Sequence, residues 1–414
     1  DTMANISNFL DKYIHKIIII ILLFNPFLDI LTSIFINVFK INFTIGMIYK
    51  TVVLFAFLYY YFFCIKNKSK KTSNIFILCI IFYFLINIIY HLMIGNPFKN
   101  EFIFTFKSFY FPMFLILVWN ICEYKKIDIK DKYLYYTVCI YALTIFVAYI
   151  TGTSFKSYDV SKIGAVGWFN SANEVGNIMA ICLPICISYV FKSKKIVNYL
   201  LFLLILLSII IMGTKTPILS LIICFIYYYI KVIIQFIKSK KYKLLNYLLF
   251  SSFLLIGITI LCLPMMPFYK NLIIHLEYLN IHNFNDFFNI KLFDHFFLGS
   301  RLMFLKNTSI VWLNSDIISY LFGIGIGINS KLIEMDLFDI FFRFGIIGLI
   351  VYIIPIIYLL KYNRVKNNNY LISIILILFI SLIVGHVLIK PSVSIVVSVI
   401  IIKYLRRNDS SEKI

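Results

Sequence analysis

Long apolar runs alternate with short polar breaks along the whole chain. A bilayer-crossing helix needs about 20 apolar residues. About twelve runs qualify by length and hydropathy, near 13–36, 45–65, 74–94, 103–122, 134–152, 172–191, 197–212, 216–236, 246–264, 345–361, 370–389 and 392–404. The pattern predicts an all-α polytopic membrane protein with three parts. Residues 3–264 hold helices 1–9, residues 265–344 form a large extracytoplasmic loop with amphipathic helices, and residues 345–414 hold helices 10–12 and a tail. The first run is too long for a signal-peptide core and is expected to stay as a span.

Composition agrees with that pattern and charge orients it. Hydrophobic residues make up 62% of the chain and charged residues 14%, too apolar for a soluble core of this length. The net charge of +21 would suit nucleic acid if it were spread along a groove. Instead, Lys and Arg cluster at 66–71, 125–132, 192–195, 238–243, 361–366 and 403–407, on every second connection. Under the positive-inside rule this places both termini in the cytoplasm and argues against a nucleic-acid partner. The eight cysteines fall in or beside apolar runs without a CxxC pair, so neither disulfides nor zinc are expected.

Two outer loops stand out. One is 153–171, and the other is 265–344, with three of the six histidines and seven of the 18 acids. In the larger loop, 301–316 reads as an amphipathic helix. Its histidines, His275, His282 and His295, lack HxxxH or HExxH spacing, so a metal site is not indicated. GIGIG at 323–327 follows no strand pattern and reads as a flexible turn or a tight packing site.

Candidate chemistry gathers at the outer face. Lys215 in GTKTPILSL and Arg301 in LGSRLMFL could bind a lipid-linked phosphate or diphosphate, or could merely snorkel to ordinary headgroups. Glu334, Asp336 and Asp339 lie within six residues before an apolar run. On a helix Asp336 and Asp339 share a face with Arg343, so Asp339 and Arg343 can form an ion pair. Acids there also suit the helix dipole. Glu334 points elsewhere and is free to act as a base; a cation site using all three acids needs the helix to begin after Glu334. In WFNSANEVGN (168–177), Asn170, Asn173 and Glu174 enter a span together with Gly176. Asp29, inside the first span, can pair with Lys50 or Lys107.

Together these motifs resemble the O-antigen ligase and O-antigen polymerase superfamily. WFNSANEVGNIMAICLP, GTKTPILSL, GSRLMFL with LFGIGIG, and EMDLFDIFFRFGIIGLI follow one another in the family's order. The resemblance implies a GT-C-like bacterial cytoplasmic-membrane enzyme that transfers a glycan from undecaprenyl diphosphate to a sugar hydroxyl at the outer face, without a metal or other cofactor. It implies diphosphate binding by Arg301, which also acts in catalysis, and by Lys215; Asp336 and Asp339 are expected to cap and brace the helix that holds Glu334, with Asn173 and Glu174 as further supporting residues. Ligases of the family commonly carry a histidine eleven residues before the first of the paired glycines; counted back from Gly345, that position is Glu334. The acid there favours a polymerase of lipid-linked repeat units, with Glu334 as base. A ligase and a flippase of lipid-linked sugar are the other readings. Membrane lipids, a chain-length regulator and a flippase of the same pathway are the partners the resemblance suggests.

Overall fold

The computed structural model describes residues 2–41, 45–65, 71–156, 163–327, 331–362 and 367–406. Each marked apolar run lies wholly or mostly on a helix. In chain order these are α1 (Thr2–Asn37), α2 (Ile45–Tyr59, continued by a π-turn to Cys64), α3 (Lys71–Met93), α4 (Phe98–Lys125), α5 (Asp131–Ile150), α6 (Ala172–Ser193), α7 (Ile196–Met212), α8 (Lys215–Lys238) and α9 (Tyr242–Cys262). Among the described residues, eight helices are long and apolar enough to cross a membrane, and several shorter apolar helices accompany them. The Lys-rich clusters at 66–71 and 361–366 lie mostly outside the described residues, as does part of the 153–171 loop. The rest of that loop contains a two-stranded antiparallel hairpin, β1 (Phe155–Lys156) with β2 (Ala165–Gly167).

The expected large loop is itself helical. It contains α10 (Pro267–Tyr278), α11 (Ile290–Phe293), α12 (Arg301–Leu313) and α13 (Ile317–Phe322). The amphipathic reading of 301–316 falls on α12, whose Leu305 and Trp312 pack against Ile333, Met335 and Phe342. Then comes α14 (Asp336–Tyr362), broken at Gly345, where φ is 66° and ψ −170°. The break falls at the expected start of the tenth span, and the segment before it is helical too. A side chain at Gly345 would meet the Leu321 backbone at 2.5 Å, so the break is also where α13 presses against α14.

The bundle closes with α15 (Leu371–Ile383) and α16 (Pro391–Leu405). Every residue of α16 is buried, which makes the last helix a central post against α4, α6 and α1. By contrast, α8 turns Phe225, Ile226 and Ile230 outward, as expected for a helix bathed in lipid. The span expected over 370–389 stops at Ile383, and residues 384–390 run as non-helical chain between α15 and α16. Five cysteines are buried as expected, while Cys79 and Cys262 are exposed.

Candidate active site

Glu334 lies one residue short of the Met335–Asp336 entry to α14, with φ 64°. An L-residue pays roughly 1–2 kcal/mol for that left-handed conformation, so the surroundings must hold it. Asp339 does so from one turn inside the helix, its two carboxylate oxygens accepting the N–H groups of Ile333 and Glu334 at 2.9 Å each. Arg301, at the first position of α12, donates to the Glu334 carbonyl from Nε and to Glu334 Oε2 from Nη2, both at 3.1 Å. Arg301 is in turn positioned by Asp294, whose carboxylate accepts the N–H groups of Leu302 and Met303. His386 Nε2 lies 3.7 Å from the same Oε2. The nearby His386 and then the Arg301 charge outweigh burial and hold the Glu334 carboxyl below its ordinary range.

His386 also has a left-handed backbone, with φ 60°. Other non-glycine residues of this kind, such as Lys126 and Lys194, simply close helices. Glu334 and His386 face each other across the site, and backbone strain of this sort gathers where function over-determines the chain. Asp336 is fully committed to the His386 segment, accepting the N–H groups of His386, Val387 and Leu388 at 2.8 Å each. Asn177 of α6 donates to the Gly385 carbonyl at 2.9 Å. A side chain at Gly385 would meet the Glu334 carbonyl at 2.1 Å, so only glycine lets the two segments touch.

Two openings flank this segment. The first is an apolar groove with about 1100 Å³ of empty space between α8, α15 and the 268–298 region, lined by Ile218, Leu219, Ile222, Phe379, Ile380 and Val384 among others. Lys215 stands at it, donating to the Phe296 carbonyl and lying 4.6 Å from the centre of the Phe296 ring. Leu298 lines the same groove, and its carbonyl accepts a 2.9 Å bond from Arg301 Nη1.

The second opening is a polar cavity, with about 830 Å³ of empty space including its open mouth, between α1, α2, α4, α6 and the start of α16. Here Asp29 takes Ser392 Oγ at 2.6 Å, Tyr141 Oη at 2.7 Å and Lys50 Nζ at 3.3 Å, and Lys50 also donates to Ser392. Glu174 pairs with Lys390 at 2.8 Å. Lys107 lines the cavity too, and makes no hydrogen bond or ion pair among the described residues. A cation inside a span costs about 2.5–3.5 kcal/mol on insertion scales.

Several expectations need correction. Asp336 and Asp339 do sit in the first turn of α14, where acids suit the helix dipole, and each also braces a neighbouring loop segment. The Asp339–Arg343 ion pair is not made, because Arg343 instead donates to the carbonyls of Gly325 and Lys331. The helix does begin after Glu334, yet the three carboxylates take separate partners and do not converge on a cation. GIGIG is a tight packing site: Glu101 of α4 accepts the N–H groups of Ile326 and Gly327, and a side chain at Gly323 would meet the Arg343 carbonyl at 2.1 Å. Asp29 pairs with Lys50, and Lys107 stays apart. Asn173 is half-buried and makes no hydrogen bond among the described residues; Asn177, one turn on, reaches the site instead. Asn170 accepts from Asn37 at 3.1 Å at the rim of the polar cavity. The residues not anticipated are His386, Lys390 and Asn177. The loop histidines stay local, with His275 stacked on Phe296 and His295 bonded to Ser300.

Many apolar helices, with strained polar residues held at one end of them, define a multi-pass membrane protein with a candidate site at that end. The family model for O-antigen ligase-like membrane proteins matches residues 11–286 and 288–407, and the chain belongs to that family. No curated protein and no solved structure matches it.

Proposed function

We propose that the protein is an inverting, polyprenyl diphosphate-dependent glycosyltransferase that polymerises lipid-linked oligosaccharide repeat units at the outer face of the bacterial cytoplasmic membrane. The family supports a glycosyl-transferring membrane enzyme. The observation that carries the finer reading is Glu334 held between Arg301 and His386, with Arg301 bonded to the wall of the apolar groove. The groove takes the polyprenyl chain, and its diphosphate meets Arg301, with Lys215 leaving the Phe296 carbonyl to join it. Arg supplies a planar donor fork for phosphate oxygens and Lys a point charge.

The acceptor hydroxyl oxygen attacks the anomeric carbon of the donor sugar from the face opposite the phosphate. Its proton passes to Glu334 Oε1, which has no protein partner among the described residues. The anomeric carbon–oxygen bond to phosphate breaks, and its electron pair leaves on the lipid diphosphate. Arg301 and Lys215 neutralise that growing charge, so the leaving group needs no proton. His386 keeps Glu334 ionised and aimed.

The test is turnover by purified protein in lipid, given undecaprenyl diphosphate-linked repeat units. Wild type is expected to form glycan ladders, with Glu334→Gln and Arg301→Ala both folded and inactive. Ladders persisting in Glu334→Gln would remove it as base. Single transfer to an added acceptor, without ladders, would replace polymerase by ligase.

A further inference from the structure

The polar cavity has a charge pattern that its own side chains do not complete. Its lysines are Lys50, Lys107 and Lys390 and its acids Asp29 and Glu174, a surplus of one positive charge. Lys50 is held by Asp29 and Ser392, and Lys390 by Glu174. Lys107, on the tenth residue of α4, keeps the surplus inside a membrane span. Lys107 feels the Glu174 charge at a distance, but Glu174 is already paired with Lys390, so a lysine there with no ion pair of its own is suited to a ligand that brings one.

We propose that this cavity is the acceptor-glycan subsite and that Lys107 binds a carboxylate on the acceptor, so the glycan being extended contains an acidic sugar of the uronic-acid type. The inference rests on the glycosyl-transfer reading above. Three features select that ligand. The surplus is a single charge, which matches one carboxylate. A diphosphate would bring more negative charge than Lys107 neutralises and would face Asp29 and Glu174 as well. The remaining polar lining, Thr32, Asn170 and Ser171, offers hydroxyl and amide groups of the kind that recognise sugar hydroxyls. Finally, the cavity is joined to the reacting centre by five residues of chain, from His386 beside Glu334 to Lys390 beside Glu174, and Lys390 and Glu334 are within electrostatic reach of each other. An acceptor anchored at Lys107 can therefore extend a hydroxyl past Lys390 towards Glu334, while the donor approaches from the groove.

The test measures binding directly, apart from turnover. Full-length protein in nanodiscs would be titrated with a hexasaccharide alternating glucuronic acid and N-acetylglucosamine, and with the same hexasaccharide after carboxyl reduction. Wild type is expected to bind the acidic form about tenfold more tightly, as one charge-assisted contact allows. Lys107→Gln should lose that preference and Lys107→Arg keep it, each with a wild-type elution profile. Equal binding of the two forms by wild type, binding of neither, or a preference unchanged in Lys107→Gln would overturn the subsite. Displacement of the acidic form by inorganic pyrophosphate but not by free glucuronate would also overturn it, assigning the cavity to the donor diphosphate. Failure of ladder formation, with the binding preference intact, would instead count against the glycosyl-transfer reading alone.

Discussion

The apolar groove and the polar cavity lie on opposite sides of one short stretch of chain. Val384 lines the groove, Ser392 lines the cavity, and His386 faces Glu334 between them. The groove is built from helices α8 and α15 and the 268–298 region, and its wall is aliphatic and aromatic with a cation at the head. The cavity is built from five helices and depends on particular polar atoms paired one by one. A site with one greasy wall and one charged wall suits a reaction whose two substrates differ in the same way. The 384–392 segment keeps the two sides apart and brings them to one carboxylate.

The sharpest break in that arrangement is at the carboxylate itself. Glu334→Gln keeps size and polarity but removes the base, and turnover on lipid-linked repeat units is expected to fall by about 10²–10⁴-fold. Next is the brace of the partition. Asp336→Asn removes a buried carboxylate that accepts three N–H groups, and hydrogen bonds to charged groups are worth about 1.5–3 kcal/mol each. Destabilisation on the order of 3 kcal/mol is expected, read as a lower unfolding midpoint in detergent. An unchanged midpoint would mean that the 386–388 segment is held by other contacts.

A smaller effect separates the two sides. Ile222→Trp, at an exposed position of the groove wall, fills part of the groove and should raise KM for the lipid-linked donor by roughly tenfold, about 1.4 kcal/mol, with binding of soluble oligosaccharide unchanged. A loss of both would show that groove and cavity are one compartment. The smallest effect is in pH. Because the Glu334 carboxyl titrates below its ordinary value of 4.5 when folded, its contribution to stability is present above that value and is lost as pH falls through the lower folded pKa. Turnover measured from neutrality downward should therefore show no Glu334-dependent acid limb until below about 4.5. A limb near neutrality would point to another titrating group.

The helices were legible because a span is a local property: a long enough apolar run declares itself without reference to anything distant. Glu334 and Arg301 could be picked out because acids and Arg are scarce in this chain. Their partners could not. His386 and Lys390 stand at the end of a run that reads as one continuous span to 389; Gly385 is a local stop signal, but the apolar residues after it mask the stop at Ile383. Asn173 and Asn177 are equivalent in the sequence, because only the face of α6 that meets Gly385 tells them apart. The apparent helical pair of Asp339 and Arg343 obeyed the spacing rule, but two unpaired backbone N–H groups at Ile333 and Glu334 claimed the carboxylate first. Spacing states which contacts are available; the competition among them is decided in three dimensions.

The buried final helix bears on how the protein is made. During synthesis α1, α4 and α6 enter the bilayer well before α16 exists, and until then Asn25 and Asp29 lack their Ser392 partner and Glu174 lacks Lys390. Before then Asp29 keeps only Tyr141 and Lys50, and Asn25 only Tyr141, so the polar cavity lacks one of its walls. The cavity's polar pairing is therefore completed last, when the final helix arrives and brings Lys390 and Ser392.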